Sequence, residues 1–157
     1  MCLWPAAWTV IALVVLSAPA TPAGKVELVY PGARALSQAD ADELSRLALK
    51  FVEGSNFNSG GKHPRVFPAR EEAARQERYR QAVRGNHLVV TLPTPRSVQT
   101  VGGPVEVLEI VIGLNRPQYA SSLHTITSRG RVLEHGKYPG NVGIELIEAV
   151  KALTGGR

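Results

Sequence analysis

The chain has 157 residues, a net charge of +5 at neutral pH and one cysteine, Cys2. This length is sufficient for a single domain with its own hydrophobic core. One cysteine excludes an intramolecular disulfide, and a domain without that cysteine also lacks thiol catalysis and cysteine-ligated zinc.

The first residues have the pattern of a secretory signal. An apolar stretch, Trp8–Leu16, precedes a run of small residues. Either Ala20 or Ala23 in this run fits the residue after which the signal would be cleaved. The stretch is shorter than the roughly 20 residues that a transmembrane helix needs, which favours a cleaved signal. No Lys or Arg precedes it, as one usually does in a signal peptide, so an uncleaved anchor is the alternative. We predict a periplasmic or secreted protein with no stable membrane span after cleavage. The predicted parts are a signal peptide (1–23) and a cysteine-free globular domain (24–157).

The first half of that domain begins with a strand and a helix. Lys25–Tyr30 alternates polar and apolar residues, which is typical of a short strand. Ser37 and Asp40 form the pattern of a capping box, and apolar residues at helical spacing follow, so a helix is predicted over 37–53. Residues 55–68 are rich in Gly, Asn and Pro and predict a loop.

Residues 69–84 favour a helix by composition, but the second half is ambiguous. A helix is predicted over 69–77, and 78–84 fits either a continued helix or a strand that turns through Gly85-Asn86. In a strand, Arg80 and Arg84 would share one face, and Arg78 would extend the row.

Strand patterns dominate the second half of the domain, and the sequence ends with a helical pattern. The predicted strands are His87–Leu92, a short edge strand Val98–Val101, the central strand Val105–Leu114, and a hairpin of Ser121–Ser128 and Arg131–Tyr138; the predicted helix is Val142–Leu153 with Asn141 as its cap. Strands that follow one another without alternating helices indicate an α+β fold. We therefore predict an antiparallel sheet of about four to five strands, with two to three helices packed on one face. The pattern does not give the strand order.

The positive charge is concentrated in one segment. Residues 62–96 contain eight Lys or Arg residues and three Glu residues, which accounts for the whole net charge. An anion-facing surface with Arg78, Arg80 and Arg84 at its centre is one interpretation, and a solvated helix face is the other. An acidic protein or an anionic envelope component would fit such a surface. Nucleic acid would not, because the protein is predicted to be exported and no aromatic stacking platform accompanies the arginines.

Two histidines in the last predicted hairpin form the sharpest candidate site. A two-residue turn at Arg129-Gly130 would place His124 directly opposite His135. Two opposed imidazoles are suited to Zn²⁺ or Cu²⁺, with His87 or His63 as a third ligand. A one-residue change of register would break the pair.

Three functional hypotheses follow. The first is a non-catalytic binding domain with no cofactor, which binds through the arginine-rich segment. The second is a small metal-binding or hydrolytic protein that uses His124 and His135. The third is a small-ligand pocket between helix 37–53 and the sheet, since a fold alone does not fix a function. No catalytic sequence motif favours an enzyme, and the oligomeric state is not predicted.

Overall fold

The computed structural model describes residues 24–57, 69–116, 118, 120–137 and 140–154, so the predicted signal peptide lies outside the described residues. Among the described helices, none is both long enough and apolar enough to cross a membrane. In chain order the elements are β1 (Lys25–Val29), α1 (Gln38–Glu53), β2 (Asn56–Phe57), α2 (Ala69–Arg84), β3 (His87–Thr100), β4 (Gly103–Gly113), β5 (Ser122–Ile126), β6 (Val132–Lys137) and α3 (Gly140–Leu153).

The strands form one sheet in the order β1-β3-β4-β5-β6-β2, and every neighbouring pair is antiparallel. The predicted α+β class is therefore confirmed. Five strands have five residues or more, as predicted, and β2 adds a two-residue edge strand beside β6. The sequence missed β2 because two residues inside a Gly- and Asn-rich stretch carry no strand periodicity.

One face of the sheet carries the main hydrophobic core. Strand register places Leu28, Leu88, Ile112 and Leu123 side by side on this core face. They pack with the buried stripe of α1, which consists of Leu44, Leu47, Ala48, Phe51 and Val52, and with α3. Two helices thus lie on one face, within the predicted two to three.

The third helix, α2, lies on the opposite face, which we call the polar face. Strand register places Glu109, His124 and Glu134 on this face. Tyr79 of α2 contacts His124, and Arg78 of α2 binds Glu134. The apolar stripe of α2 is thin, and the face that it covers combines these polar residues with the buried Val111 and Val132. The sheet is therefore covered on both sides.

The start of α1 matches its predicted capping box. The Asp40 backbone N–H donates to Ser37 Oγ at 3.2 Å, and the Ser37 backbone N–H donates to Asp40 Oδ2 at 2.9 Å. These hydrogen bonds satisfy backbone donors that have no partner within the helix. Hydrogen bonds from Ser37 are also the main reason that the pKa of Asp40 is lowered. Gly54 ends the helix, as predicted.

The hairpin of β3 and β4 is longer than predicted. The sequence predicts a strand over His87–Leu92 because Pro93 and Pro95 follow, but β3 continues to Thr100. The four residues 92–95 of β3 lie opposite the single residue Leu108 of β4, so the prolines occupy a bulge. A bulge tolerates proline because its residues are not needed as donors in the ladder. The predicted edge strand Val98–Val101 is the continuation of β3 beyond this bulge.

Candidate functional site

The register of the β5–β6 hairpin differs by one residue from the prediction. The backbone N–H of Thr127 donates to the carbonyl oxygen of Arg131 at 3.0 Å, and that of Gly130 donates to the carbonyl of Thr127 at 2.8 Å. The turn therefore contains three residues, 128–130, and Gly130 has a φ of +72°. Three-residue hairpin loops commonly end with a residue in this left-handed conformation, which glycine adopts at little cost.

The predicted opposition of His124 and His135 is therefore wrong. His124 lies opposite Glu134, and His135 lies opposite Leu123. Because successive residues of a strand point to opposite faces, the shift sends His124 to the polar face and His135 to the core face. The two imidazoles are thus separated by the sheet.

This separation removes the geometric basis of the predicted Zn²⁺ or Cu²⁺ site. No group of three or more His, Cys, Asp or Glu residues within the described ranges is placed to hold a metal ion. His87, one suggested third ligand, lies on β3, on the far side of β4 from His124. His63, the other one, lies outside the described residues.

His135 is the centre of a buried hydrogen-bond network on the core face. Its Nδ1 lies 2.6 Å from Ser55 Oγ, and its Nε2 lies 2.9 Å from Thr125 Oγ1. The Ser55 hydroxyl also donates to the carbonyl oxygen of Val52 at 2.7 Å. Because the one hydroxyl proton of Ser55 is used in this hydrogen bond, Ser55 Oγ accepts a hydrogen bond from Nδ1–H of His135. Nε2 of His135 then carries no proton and accepts a hydrogen bond from the Thr125 hydroxyl. Every polar atom of these three side chains is then satisfied.

Burial keeps this imidazole neutral. Loss of hydration is the largest cause that lowers the pKa of His135, to about 4, and the charge of His124 acts in the same direction. At neutral pH the ring is therefore an uncharged hydrogen-bonding group. The pattern of hydrogen bonds given above requires this neutral form.

A neutral imidazole that accepts from a threonine hydroxyl has the composition of a general base with a nucleophile. Burial decides against that chemistry here, because Ser55 and Thr125 are 0% exposed and His135 is 2% exposed. The backbone N–H of Val101, at the tip of the β3–β4 hairpin, donates to the carbonyl oxygen of Ser55, so this hairpin also lies against the cluster. The network therefore joins the end of α1 to β5 and β6.

His124 lies in a different environment, beneath α2. It is fully buried, and the ring centroids of Tyr79 and His124 are 5.9 Å apart in an edge-to-face arrangement. Neither nitrogen of His124 has a hydrogen-bond partner in the described structure. Burial is the main cause that lowers the pKa of His124, and the nearby Glu134 carboxylate opposes the shift. The ring is therefore held mainly by packing.

Arg78 and Glu134 attach α2 to the sheet. The Arg78 Nε donates to both carboxylate oxygens of Glu134 at 2.8 and 2.9 Å, and Arg78 NH2 donates to Oε2 at 2.6 Å. The hydrogen bond to Glu134 is the main cause that raises the pKa of the Arg78 guanidinium. Such two-point pairing fixes orientation as well as distance. Arg78 therefore has a structural partner, although it was predicted as a binding residue.

The other two predicted binding residues remain on the solvent side of α2. Residues 78–84 are helical, which resolves the ambiguity of the sequence. Arg80 and Arg84 are four residues apart, so they share one side of the helix, and both are exposed. Arg80 NH1 donates to Glu77 Oε2 at 2.9 Å. Arg84 has no ion pair within the described residues. The predicted row of three arginines is therefore a pair, with Arg78 turned to the sheet.

Glu134→Gln is expected to loosen α2 without unfolding the domain. The substitution keeps the size of the side chain but removes the charge that Arg78 binds, and a partly exposed ion pair contributes about 1 kcal/mol or less. Hydrogen exchange of the α2 amides should therefore accelerate by up to about fivefold. Glu43→Gln is a matched control, because Glu43 also binds an arginine at two points, Arg46, but within α1. Equal effects of both variants on α2 would contradict this role of Glu134.

The predicted pocket between helix 37–53 and the sheet coincides with the main core. The inward side chains of α1, such as Leu44 and Phe51, are fully buried against the core face. The residues that the sequence missed are Ser55, Thr125 and Tyr79. A buried serine directly after a helix and a buried threonine in a strand carry no local signal, because their common partner, His135, lies 80 residues from Ser55 and is brought to Thr125 only by the register of the hairpin.

Comparison with known proteins adds no relative. No protein-family model matches the chain, and no curated protein or solved structure matches it significantly.

Proposed function

We propose that the protein is a non-catalytic binding domain, periplasmic or secreted, that binds an anionic envelope component through the outward side of α2. The observation that carries the proposal is the division of the arginines of α2. Arg78 is used to attach the helix to the sheet, whereas Arg80 and Arg84 are exposed. A helix fixed in this way holds the backbone of Arg80 and Arg84 in a constant position, which lowers the backbone entropy lost on binding.

The location in the periplasm or outside the cell depends on the predicted signal peptide. Mass spectrometry of the protein purified from its native host should find an N-terminus after Ala20 or Ala23. A chain that keeps its first residues would contradict a cleaved signal. It would not decide whether α2 binds anions, which the charge reversal described next tests separately.

Charge reversal on α2 tests the binding surface. We expect Arg80→Glu/Arg84→Glu to weaken binding to phosphatidylglycerol vesicles by about 30-fold or more, since each basic residue near an anionic surface contributes about 1 kcal/mol. Co-sedimentation with vesicles, compared with neutral phosphatidylcholine vesicles, measures the effect.

The matched control is Arg46→Glu/Lys50→Glu on α1. These residues have the same spacing as Arg80 and Arg84, and Arg46 likewise binds an acidic residue three positions earlier. Lys50 also pairs with Glu145 of α3, so circular dichroism must show that this control is folded. The control changes the net charge equally, so an equal loss of binding would show that only total charge matters and would reject the surface. Binding of the wild-type chain to polyglutamate instead of the vesicles would identify an acidic protein as the partner class. Binding to neither probe would reject the proposal.

A further inference from the structure

The strand β1 forms one edge of the sheet and offers its outer side to another strand. Within the described residues β1 pairs only with β3, in a continuous register from Lys25–Thr91 to Val29–His87. It contains no proline and no bulge, which are two common means of blocking an edge. The opposite edge, β2, has two residues and offers far less backbone.

The side chains of β1 extend the core to this edge. Val26 and Leu28 are half-buried and pack against the main core, so each leaves apolar surface in contact with water. On the other face of the strand, Lys25 and Glu27 are mostly exposed and Val29 is 42% exposed. A strand that paired with the outer side of β1 would cover the remaining apolar surface of Val26 and Leu28.

We propose that the occupant of this edge is β1 of a second copy of the chain, so that two sheets join into one. Two copies related by a twofold axis perpendicular to the sheet pair antiparallel, and residues opposite one another share a face. The axis then passes midway between the two β1 strands, level with one residue that lies opposite its own copy. The charges of the strand decide which residue this is.

An axis level with Val26 places Lys25 opposite Glu27 of the second copy, and the symmetry repeats this pair. An axis level with Lys25 or with Glu27 opposes two like charges, which destabilises a pair of strands. An axis level with Leu28 places Glu27 opposite Val29 and leaves Lys25 unpaired. Only the axis level with Val26 forms two pairs of opposite charge and also brings the two Val26 side chains together on the core face. The strand is therefore self-complementary in one register.

Sedimentation analysis of the purified protein, over a range of micromolar concentrations, tests this arrangement. The wild-type chain should form dimers. Lys25→Glu and Glu27→Lys should each weaken the dimer by about tenfold or more, because either change converts both symmetric attractions into repulsions. The double variant Lys25→Glu/Glu27→Lys should restore the dimer, since it exchanges the charges and keeps them complementary.

Arg46→Glu on α1 is the control for the change of net charge in Lys25→Glu, and circular dichroism confirms that each variant is folded. A wild-type chain that stays monomeric throughout this range would overturn the proposal. A dimer that neither single reversal weakens would also overturn it, because such a dimer would use another surface. The outcome is independent of the proposed anion binding, which is measured on α2 variants with unchanged β1.

Discussion

Acidification from pH 7 to about pH 4 is expected to lower the free energy of unfolding by about 3 kcal/mol through His135 alone. The pKa of His135 is lowered from the ordinary 6.5 to about 4 in the folded protein, mainly by burial. The unfolded chain therefore takes up a proton near pH 6.5, whereas the folded chain resists protonation until about pH 4. This stabilisation is complete above pH 6.5 and is lost progressively as the pH falls toward 4.

Urea unfolding at several pH values between 7 and 4.5 measures this effect. His135→Leu should be less stable than the wild type at pH 7, because Ser55 and Thr125 lose a buried partner, but its stability should fall less steeply on acidification. Thr125→Val removes one hydrogen bond and keeps the buried imidazole, so it should retain the steep pH dependence. The pKa of His124 is lowered as well, and it contributes in the same direction in all three proteins. An unchanged pH dependence in His135→Leu would contradict the assignment.

Phe51→Ala is expected to lower the free energy of unfolding by about 3–5 kcal/mol, the cost typical of removing a buried aromatic ring from a core. Phe51 is 0% exposed and lies among the largest buried side chains of the domain. Its ring packs where α1 meets α3. A Cβ placed on Gly143 of α3 would lie 3.6 Å from Phe51 Cε2, so the ring lies directly over that glycine.

Ile144→Ala is the control for this second experiment. Ile144 follows Gly143 on α3 but is 48% exposed, so truncation removes little buried surface and should change stability by about 0.5 kcal/mol. Urea unfolding of both variants gives the comparison. A loss for Phe51→Ala no larger than that for Ile144→Ala would show that the ring does not contribute to the core as its burial indicates.

The elements that the sequence predicted well have strong local signals. The helix α1 has a capping box, an apolar stripe and a terminal glycine, and all three are confirmed. The α+β class followed from the number of consecutive strand patterns, which does not depend on their exact ends. The final helix was predicted to start after Asn141 but begins at Gly140, an error of the size that helix ends commonly show.

The candidate site was predicted less well because it depends on register and on distant contacts. The dipeptide Arg129-Gly130 fits a two-residue turn, but glycine also fits the last position of a three-residue turn, and sequence does not separate the two. The difference of one residue between these two turns decides whether His124 and His135 lie on the same face of the sheet or on opposite faces. The partners of His135 come from the end of α1 and from β5, and no local pattern connects them.

The ambiguity over residues 78–84 has a similar cause. Arginine and alanine favour a helix, but the apolar stripe that would anchor this helix to the sheet is thin. What attaches this part of α2 to the polar face is the ion pair with Glu134, a residue that is distant in sequence. Patterns of hydrophobicity do not record such an attachment.

The order of the strands also sets how their pairings depend on one another during folding. The strands β3, β4, β5 and β6 are neighbours both along the chain and in the sheet, so each of these pairings closes only a short loop. Pairing of β1 with β3 joins Lys25 to Thr91 and encloses α1, β2 and α2. Closing that longer loop costs more conformational entropy than closing any one of the hairpins. The strand β1, the first strand of the described residues, therefore joins a meander of β3 to β6 whose own contacts are local, and its place in the sheet depends on that meander.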